Sequence, residues 1–428
     1  MELAKEQAWF RDSLLERFLR YVRIDTTSNR RGTGSPTTAG QLELARLLAG
    51  ELEALGCAVE LDAQGFLFAL LPPTPAPGAQ PLPEIGFMAH LDTSDSAPGK
   101  DIAPRLHENY RGQLLELEEG VVLDPQEFPE LLRYRGDMVI TSDGRTLLGA
   151  DDKAGIAEIL TALEYLKRHP RLPHGKISVI LTPDEELGLS MERFPRHKVS
   201  ARACYTMDGG EEGTIETECF EGTRADVLFH GRSIHTGIAR GKLVNAIEMA
   251  ARFLSLLPGA ESPQATDGRY GFYSPQQIEG TIERASLELY LRDFEEAEVL
   301  RRVEALAQIG RAVEAVFPRG RVEMTVKKQY SNMRRFLKDT PQVVTCLEEA
   351  IRACGLEPVH RSIRGGTDGA RLSELGIPTP NVFTGGQNIH SRQEWIALGA
   401  MVRASWTVLH LIRLWAETTA LAKGRGKG

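Results

Sequence analysis

The sequence predicts an α/β protein. Its main domain is a mixed, mostly parallel sheet, split in sequence by an inserted ferredoxin-like βαββαβ domain. Three observations carry that expectation. Short apolar runs such as IGFMAH (85–90) and KISVILT (176–182) alternate with helical periodicities, as in parallel sheets buried on both faces. Between Glu216 and Asn332 the pattern becomes strand, helix, strand, strand, helix, strand, which closes a small core by itself. A chain of 428 residues is also too long for one core, since domains run to roughly 100–200 residues. The expected boundaries are 1–216 with 332–428 for the main domain, and 217–331 for the insertion.

Leu14, Leu15, Phe18, Leu19 and Val22 recur at helical spacing and predict an opening amphipathic helix. A second helix is expected over 40–55, with Gly56 as its stop. FLFALL (66–71) and IGFMAH read as strands, and the proline-rich connection between them as an exposed loop. Residues 116–130 read as an acidic surface excursion. Ile156, Ile159, Leu160, Leu163 and Leu166 share one side of a helix over 153–167. KISVILTP and ACYTMDGG (203–210) are the next buried strands. Inside the insertion, strands are expected at 224–231, 269–279, 281–293 and 321–330, with helices at 242–257 and 295–317. The α/β signals resume with VHRSIRGG, a helix over 367–375, IPTPNVF and a C-terminal helix to about residue 415. The basic tail AKGRGKG is expected to be disordered.

Composition excludes several classes. With 42% hydrophobic and 26% charged residues the chain is neither low-complexity nor disordered. A net charge of −8 speaks against a nucleic-acid partner. No apolar run approaches the roughly 18–20 residues that span a bilayer, so no membrane partner is expected. The charged N-terminus lacks a signal-peptide core, and five cysteines without C-x-x-C suit a reducing compartment. A cytoplasmic, soluble protein is the expectation. There is no G-x-S-x-G elbow and no Walker A loop.

Ligands of open α/β sheets bind beyond the carboxyl ends of the strands. Five such ends are expected to carry metal-binding side chains: His90 with Asp92, Asp151 with Asp152, Asp184 with Glu185 and Glu186, Asp208, and His390. Each alone reads more simply as a capping or solvated residue, and Asp152 would merely favour a helix dipole. Two imidazoles and several carboxylates on one sheet edge would leave much uncompensated negative charge. Divalent cations with N and O ligands, Zn²⁺ first, would neutralise it.

The strings FMAHLDTS, TLLGADDKAGIAEI, TPDEELG, MDGG, RGGTDGA and GGQNIHSRQEW occur in this order, together with ENYRG (108–112) and YSNMR (330–334). They resemble the dinuclear zinc peptidases and acylases, and among these the tripeptide aminopeptidases, over nearly the whole chain. The resemblance implies two Zn²⁺ per subunit, replaceable by Co²⁺ or Mn²⁺. His90 and Asp208 would hold one ion, Glu186 and His390 the other, and Asp151 both. Asp92, two residues beyond His90, faces the same way on a strand and would orient the imidazole. Adjacent Glu185 and Glu186 point apart on extended backbone, so one can ligate while the other faces substrate. The family assigns the base to Glu185, which would take a proton from a zinc-bridging water and deliver it to the leaving amine.

The resemblance also implies short peptide substrates, and a homodimer through the inserted domain acting as lid and dimerisation element. His235 in GRSIHTG would contact substrate or oxyanion across the dimer interface. Arg292 in LYLRDF would bind a peptide's C-terminal carboxylate, the structural alternative being an ion pair with Asp293 or Glu295. Asn245 would add a polar contact, unless it is a helix-surface amide. Where the tripeptide enzymes commonly read GGYNFH, a basic residue and HEF, this chain has Gln387, Ile389 and Ser391-Arg392-Gln393-Glu394-Trp395. Loss of that aromatic and of the second histidine is expected to reshape the pocket near the substrate. Rival readings are another amide hydrolase of the same clan (dipeptidase, carboxypeptidase or N-acyl amino acid deacylase) and a catalytically silent metal-binding protein. Glu185 beside five ligands argues against the silent protein.

Overall fold

A computed structural model describes residues 3–74 and 82–424, with side chains as far as Glu417. Part of the proline-rich connection (75–81) and the end of the basic tail (425–428) lie outside the described residues. Helix α1 (Gln7–Val22) turns Phe10, Leu14, Phe18, Tyr21 and Val22 inward at helical spacing. Phe10 and Phe18 are fully buried, and each such burial is worth about 1.5–3 kcal/mol. Helix α2 (Ala39–Ala54) stops before Gly56, whose φ of +96° is the left-handed geometry of a helix end.

Strands β1 (Ala58–Leu61), β2 (Leu67–Leu71) and β3 (Ile85–His90) follow. Four short strands come next: β4 (Arg105–His107), β5 (Leu115–Glu116), β6 (Val122–Leu123) and β7 (Val139–Thr141). Then come helix α3 (Ala150–Arg168) and strands β8 (Ile177–Thr182), β9 (Ala203–Gly209) and β10 (Thr214–Cys219). The next six elements are β11 (Glu221–His230), α4 (Ala246–Ser255), β12 (Phe272–Gly280), β13 (Arg284–Asp293), α5 (Glu296–Val316) and β14 (Arg321–Tyr330). The chain ends with α6 (Arg334–Leu337), α7 (Pro341–Ala353), β15 (Val359–Ile363), α8 (Asp368–Glu374), β16 (Asn381–Phe383), β17 (Trp395–Ala397) and α9 (Leu398–Gly424).

Two compact units result. One comprises Met1–Thr217, Phe336–Arg361 and Thr367–Gly428, the other Glu218–Arg335 and Ser362–Gly366. The first is built on an eight-stranded sheet of order β1-β2-β8-β3-β9-β16-β10-β15. Its centre is parallel, with β8, β3, β9 and β16 running together, while β1–β2, β2–β8 and β16–β10 are antiparallel. The mixed α/β fold with a mainly parallel centre is therefore as expected. Side chains alternate across it: Ile85, Phe87 and Ala89 enter one core with α1, α2, α3, α7 and α9, while Met88 enters another with Ile180, Cys204 and Leu372.

The second unit has the βαββαβ order, with a fully antiparallel sheet β12-β13-β11-β14. Ala225, Val227, Phe229, Leu287, Leu289 and Leu291 of that sheet pack with Met249 and Phe253 of α4 and Val299, Leu306 and Val313 of α5.

Two expectations are corrected. The acidic stretch 116–130 is more than a surface excursion: Leu117 and Leu123 are buried in a small core with Tyr110, Leu131, Tyr134 and Trp395. Its apolar residues are too sparse to show a period, so they are visible only once Trp395 supplies their partner. The last helix also runs on to Gly424, past the expected end and into the tail.

Candidate metal centre and active site

β8 lies on one side of β3 and β9 on the other, so the connections of the parallel strands diverge at β3. A crevice opens at such a point beyond the carboxyl ends. His90 is the last residue of β3 and is level with Thr182 of β8. Asp208 is near the end of β9, whose Thr206 is level with Met88. The Asp184-Glu185-Glu186 turn leaves β8 at the same edge, and His390 stands on the loop between β16 and β17. Asp151 corrects the expectation of five strand ends. It opens α3, with φ −82° and ψ 106° outside the helical range. A turn before a helix and the end of a strand look alike in LLGADD, because both follow a short apolar run.

These residues meet. His90 Nε2 is 2.9 Å from Asp151 Oδ1 and 3.8 Å from Asp208 Oδ1. His390 Nε2 is 3.1 Å from Asp151 Oδ2 and 2.8 Å from Glu186 Oε1. Asp151 thus turns one oxygen to each imidazole. Candidate ligand atoms within 4.8 Å of one another come from His90, Asp151 and Glu186, and again from His90, Asp152 and Asp208.

The electrostatics match a site built for cations. Burial, then the neighbouring Asp151 charge, raises Asp208 and Glu186 above the ordinary carboxylate range. Asp152 is raised well above it too, by burial and by Asp151, although the nearby His90 opposes the shift. Burial alone would lower both histidines, but their hydrogen bonds to carboxylates outweigh it, and His390 is raised to about 11. Buried Asp152 Oδ1 has no hydrogen-bond donor among the described residues. Two ligands held about 2.1 Å from one tetrahedral Zn²⁺ stand roughly 3.4 Å apart, within the 2.8–3.8 Å spread seen here. The residues present fit divalent metal.

The surrounding acids divide the work of holding this geometry. Asp92, fully buried, accepts from the backbone N–H of Glu185 at 2.9 Å and of Glu186 at 3.2 Å. His90 Nδ1 is 3.0 Å from the Asp92 main-chain oxygen and 3.4 Å from its carboxylate, so the carbonyl is the nearer partner. Nδ1 then carries the proton and Nε2 is left for a metal. Asp184, with φ +56°, accepts from Thr37 N, Thr37 Oγ1 and Gln41 Nε2, pinning the turn to the start of α2. The Glu185 carboxylate has no partner in this network, and burial plus Asp208 raises it well above its ordinary value.

Sequence reasoning missed Lys153 and Glu394, and it offered Asp152 as a candidate ligand or a helix-dipole charge without its contact to His90. Asp152 Oδ2 accepts from His90 N at 3.0 Å. Lys153 is fully buried, its Nζ donates to Ile24 O at 2.7 Å, and burial lowers its pKa to about 7. Glu394 accepts from the backbone N–H groups of Leu148, Gly149 and Asp151. The only signal for Asp152 was its place beside Asp151. Glu394 bonds residues 243–246 positions away, beyond any local pattern.

The other three candidates stand in the second unit. His235 is exposed, and its Nδ1 accepts from Gly237 N at 3.1 Å, which leaves Nε2 to carry the proton. Asn245 is the N-cap of α4: its Oδ1 accepts from Ile247 N at 3.0 Å. Arg292 lies against the rings of Tyr290 and Tyr330 and donates to the Thr223 and Leu291 carbonyls. The alternative of an ion pair with Asp293 is not what forms, because Asp293 pairs with Arg302 at 2.7 Å.

Residues 139–414 match the model of peptidase family M20/M25/M40. Peptidase T of Listeria welshimeri is 43% identical over 410 residues, 95% of this chain and 99% of that protein. Peptidase T of Caldanaerobacter subterraneus is 44% identical over 407 residues, 94% and 99% of the two chains. Among solved structures, aminopeptidase PepT from Bacillus cereus superposes with a TM-score of 0.72 at 24% identity, covering 95% and 99%. A tripeptidase from Staphylococcus aureus gives 0.73 at 22% identity with the same coverage. A family model matching most of the chain, and relatives matching nearly all of it, lead to one conclusion: the chain belongs to peptidase family M20/M25/M40.

Proposed function

We propose that this protein is a metallo-aminopeptidase that removes the N-terminal residue of short peptides, tripeptides above all. The observation that carries the proposal is Asp151, whose two oxygens face His90 and His390 separately, as a carboxylate shared by two metal ions must. His90 and Asp208 would hold one Zn²⁺, Glu186 and His390 the other, and Co²⁺ or Mn²⁺ would substitute. Two such ions supply Lewis acidity and bring the pKa of a shared water towards about 7. The relatives named peptidase T support the substrate class.

The chain's own residues do the rest. Glu185, whose carboxylate has no hydrogen-bond partner among the described residues, takes the proton of the attacking water and returns it to the leaving amine. Asp92 holds the Glu185 main chain in place, so the base keeps its position. His235 presents an Nε2–H suited to donate to a developing oxyanion. Arg292, not paired with Asp293, is suited to receive a C-terminal carboxylate, and Asn245 retains its amide N–H₂ for a polar contact. The lid and homodimer role belongs in this reading to the inserted unit, and the compartment is the cytoplasm. Among the described residues, no helix is long and apolar enough to cross a membrane.

A panel of di-, tri- and tetrapeptides with free N-termini, set against N-acyl amino acids, tests the reading. Tripeptides should be cut fastest, releasing the first residue. Preferred cleavage of N-acyl amino acids or of the C-terminal residue would replace it with the deacylase or carboxypeptidase alternative.

A further inference from the structure

We propose that Glu394 is a positioning residue that couples the two ligand-bearing loops of the metal centre, setting the Asp151 carboxylate and His390 in one frame. The proposal rests on the metallopeptidase reading above and goes beyond it. The loop carrying His390 is closed by paired backbone bonds between Gln387 and Trp395, of 2.9 and 3.1 Å. Within it, Ser391 Oγ donates to Asn388 O at 2.6 Å, Gln393 N donates to Ser391 Oγ at 3.1 Å, and Glu394 N donates to Ser391 O at 3.3 Å. His390 and Glu394 are therefore held by the same tight turn. The Glu394 side chain leaves that turn for the other loop, 1% exposed. Its Oε2 accepts from Leu148 N at 2.7 Å and Gly149 N at 2.8 Å, and its Oε1 accepts from Asp151 N at 3.1 Å.

Those three N–H groups belong to the entrance of α3, where intrahelical partners are missing and an anion is favoured. Gly149 is left-handed there (φ +77°), and Asp151 and Asp152 are non-helical, so the helix itself does not fix the backbone that bears the shared carboxylate. Glu394 supplies that fixation from the loop that bears His390. A shift of the His390 loop would thus carry Asp151 with it. Arg392 and Gln393 tie the same loop outward, to Glu119 and to the Val122 carbonyl.

The test is metal affinity, read without peptide. Wild type, Glu394→Gln, Glu394→Asp and Arg392→Ala are loaded with Zn²⁺ or Co²⁺ and titrated with a chelator; melting curves confirm folding. Glu394→Gln keeps one acceptor but loses the charge, and Glu394→Asp keeps the charge but withdraws it by one methylene. Both should lose both ions at chelator concentrations about 10–100-fold lower than wild type, the range for partners behind the ligands. The Co²⁺ visible spectrum should change, and saturating metal should restore much of kcat on a tripeptide. Arg392→Ala should stay close to wild type. A folded Glu394 variant with wild-type metal affinity and Co²⁺ spectrum overturns the proposal, as does an Arg392→Ala loss of equal size. If metals bind as described but no peptide is cut, the peptidase reading fails while this coupling stands.

Discussion

Replacing Asp92 with asparagine probes how the base is held. The Asp92 carboxylate is fully buried and is the common acceptor for the main-chain N–H groups of Glu185 and Glu186. Hydrogen bonds to a charged group are worth about 1.5–3 kcal/mol each, and an orphaned buried N–H costs about 1–3 kcal/mol. Asparagine offers one oxygen and turns its N–H₂ towards the other donor, so one bond is lost, one N–H is orphaned and the surviving bond loses its charge. The turn is then loosened by about 3–6 kcal/mol. Each 1.36 kcal/mol is tenfold in rate, so transmission of even half of this to the reacting geometry predicts a 10–100-fold fall in kcat. The assay is steady-state kinetics on a tripeptide, with metal content and a melting curve on the same sample. KM should move little, because Asp92 faces the turn rather than the substrate. A folded, fully metallated Asp92→Asn enzyme with kcat within about twofold of wild type would refute the reasoning.

Three further outcomes are expected. Glu158 is fully buried on α3 with neither side-chain oxygen hydrogen-bonded, and burial, then the Asp152 charge, raises its carboxyl well above its value of about 4.3 in the unfolded chain. Its contribution is therefore intact at low pH and lost as pH rises above that point, so Glu158→Gln should gain on wild type as the pH is raised. Urea unfolding of both proteins across pH 5–7 (about two units) measures this, and parallel curves would contradict it. Arg292→Ala should raise KM for free tripeptides about 10–100-fold, the worth of a charge-assisted contact. Amidated tripeptides on wild type should behave like free ones on the variant, so equal rates for both on wild type would remove the carboxylate role. Asp151→Asn should weaken both metals and His390→Ala mainly one, as read by metal content after mild chelation.

The sheet and its edge were legible because their signals are local. IGFMAH ending in histidine, KISVILT running into DEE, and Asp208 closing ACYTMD place candidate ligands by strand position alone. The ferredoxin-like order was legible for the same reason, its strands and helices being long and periodic. What escaped depends on chain-distant contacts. Asp151 looks like a strand end because it follows a short apolar run, and the contact that would correct this, from its backbone N–H to Glu394, is far along the chain. The core under residues 115–131 is completed by Trp395, Ala397 and Ala400, far along the chain. Asn245, read as a surface amide or substrate contact, precedes the apolar period of α4 and carries an N-cap signal that was readable. Asp184, a candidate ligand by strand position, instead holds the turn of its two neighbours to α2, through contacts no local pattern shows.

The measurement closest to the central claim is metal content and tripeptide turnover of Glu185→Gln beside wild type. Two divalent ions per chain should be found in both proteins, because Glu185 lies outside the coordinating set. Turnover should fall by about 10²–10⁴-fold in the variant, the usual contribution of a general acid–base group. A single tightly bound ion in active wild type, or near-normal turnover by the fully metallated variant, would contradict the two-metal, Glu185-driven hydrolysis described here.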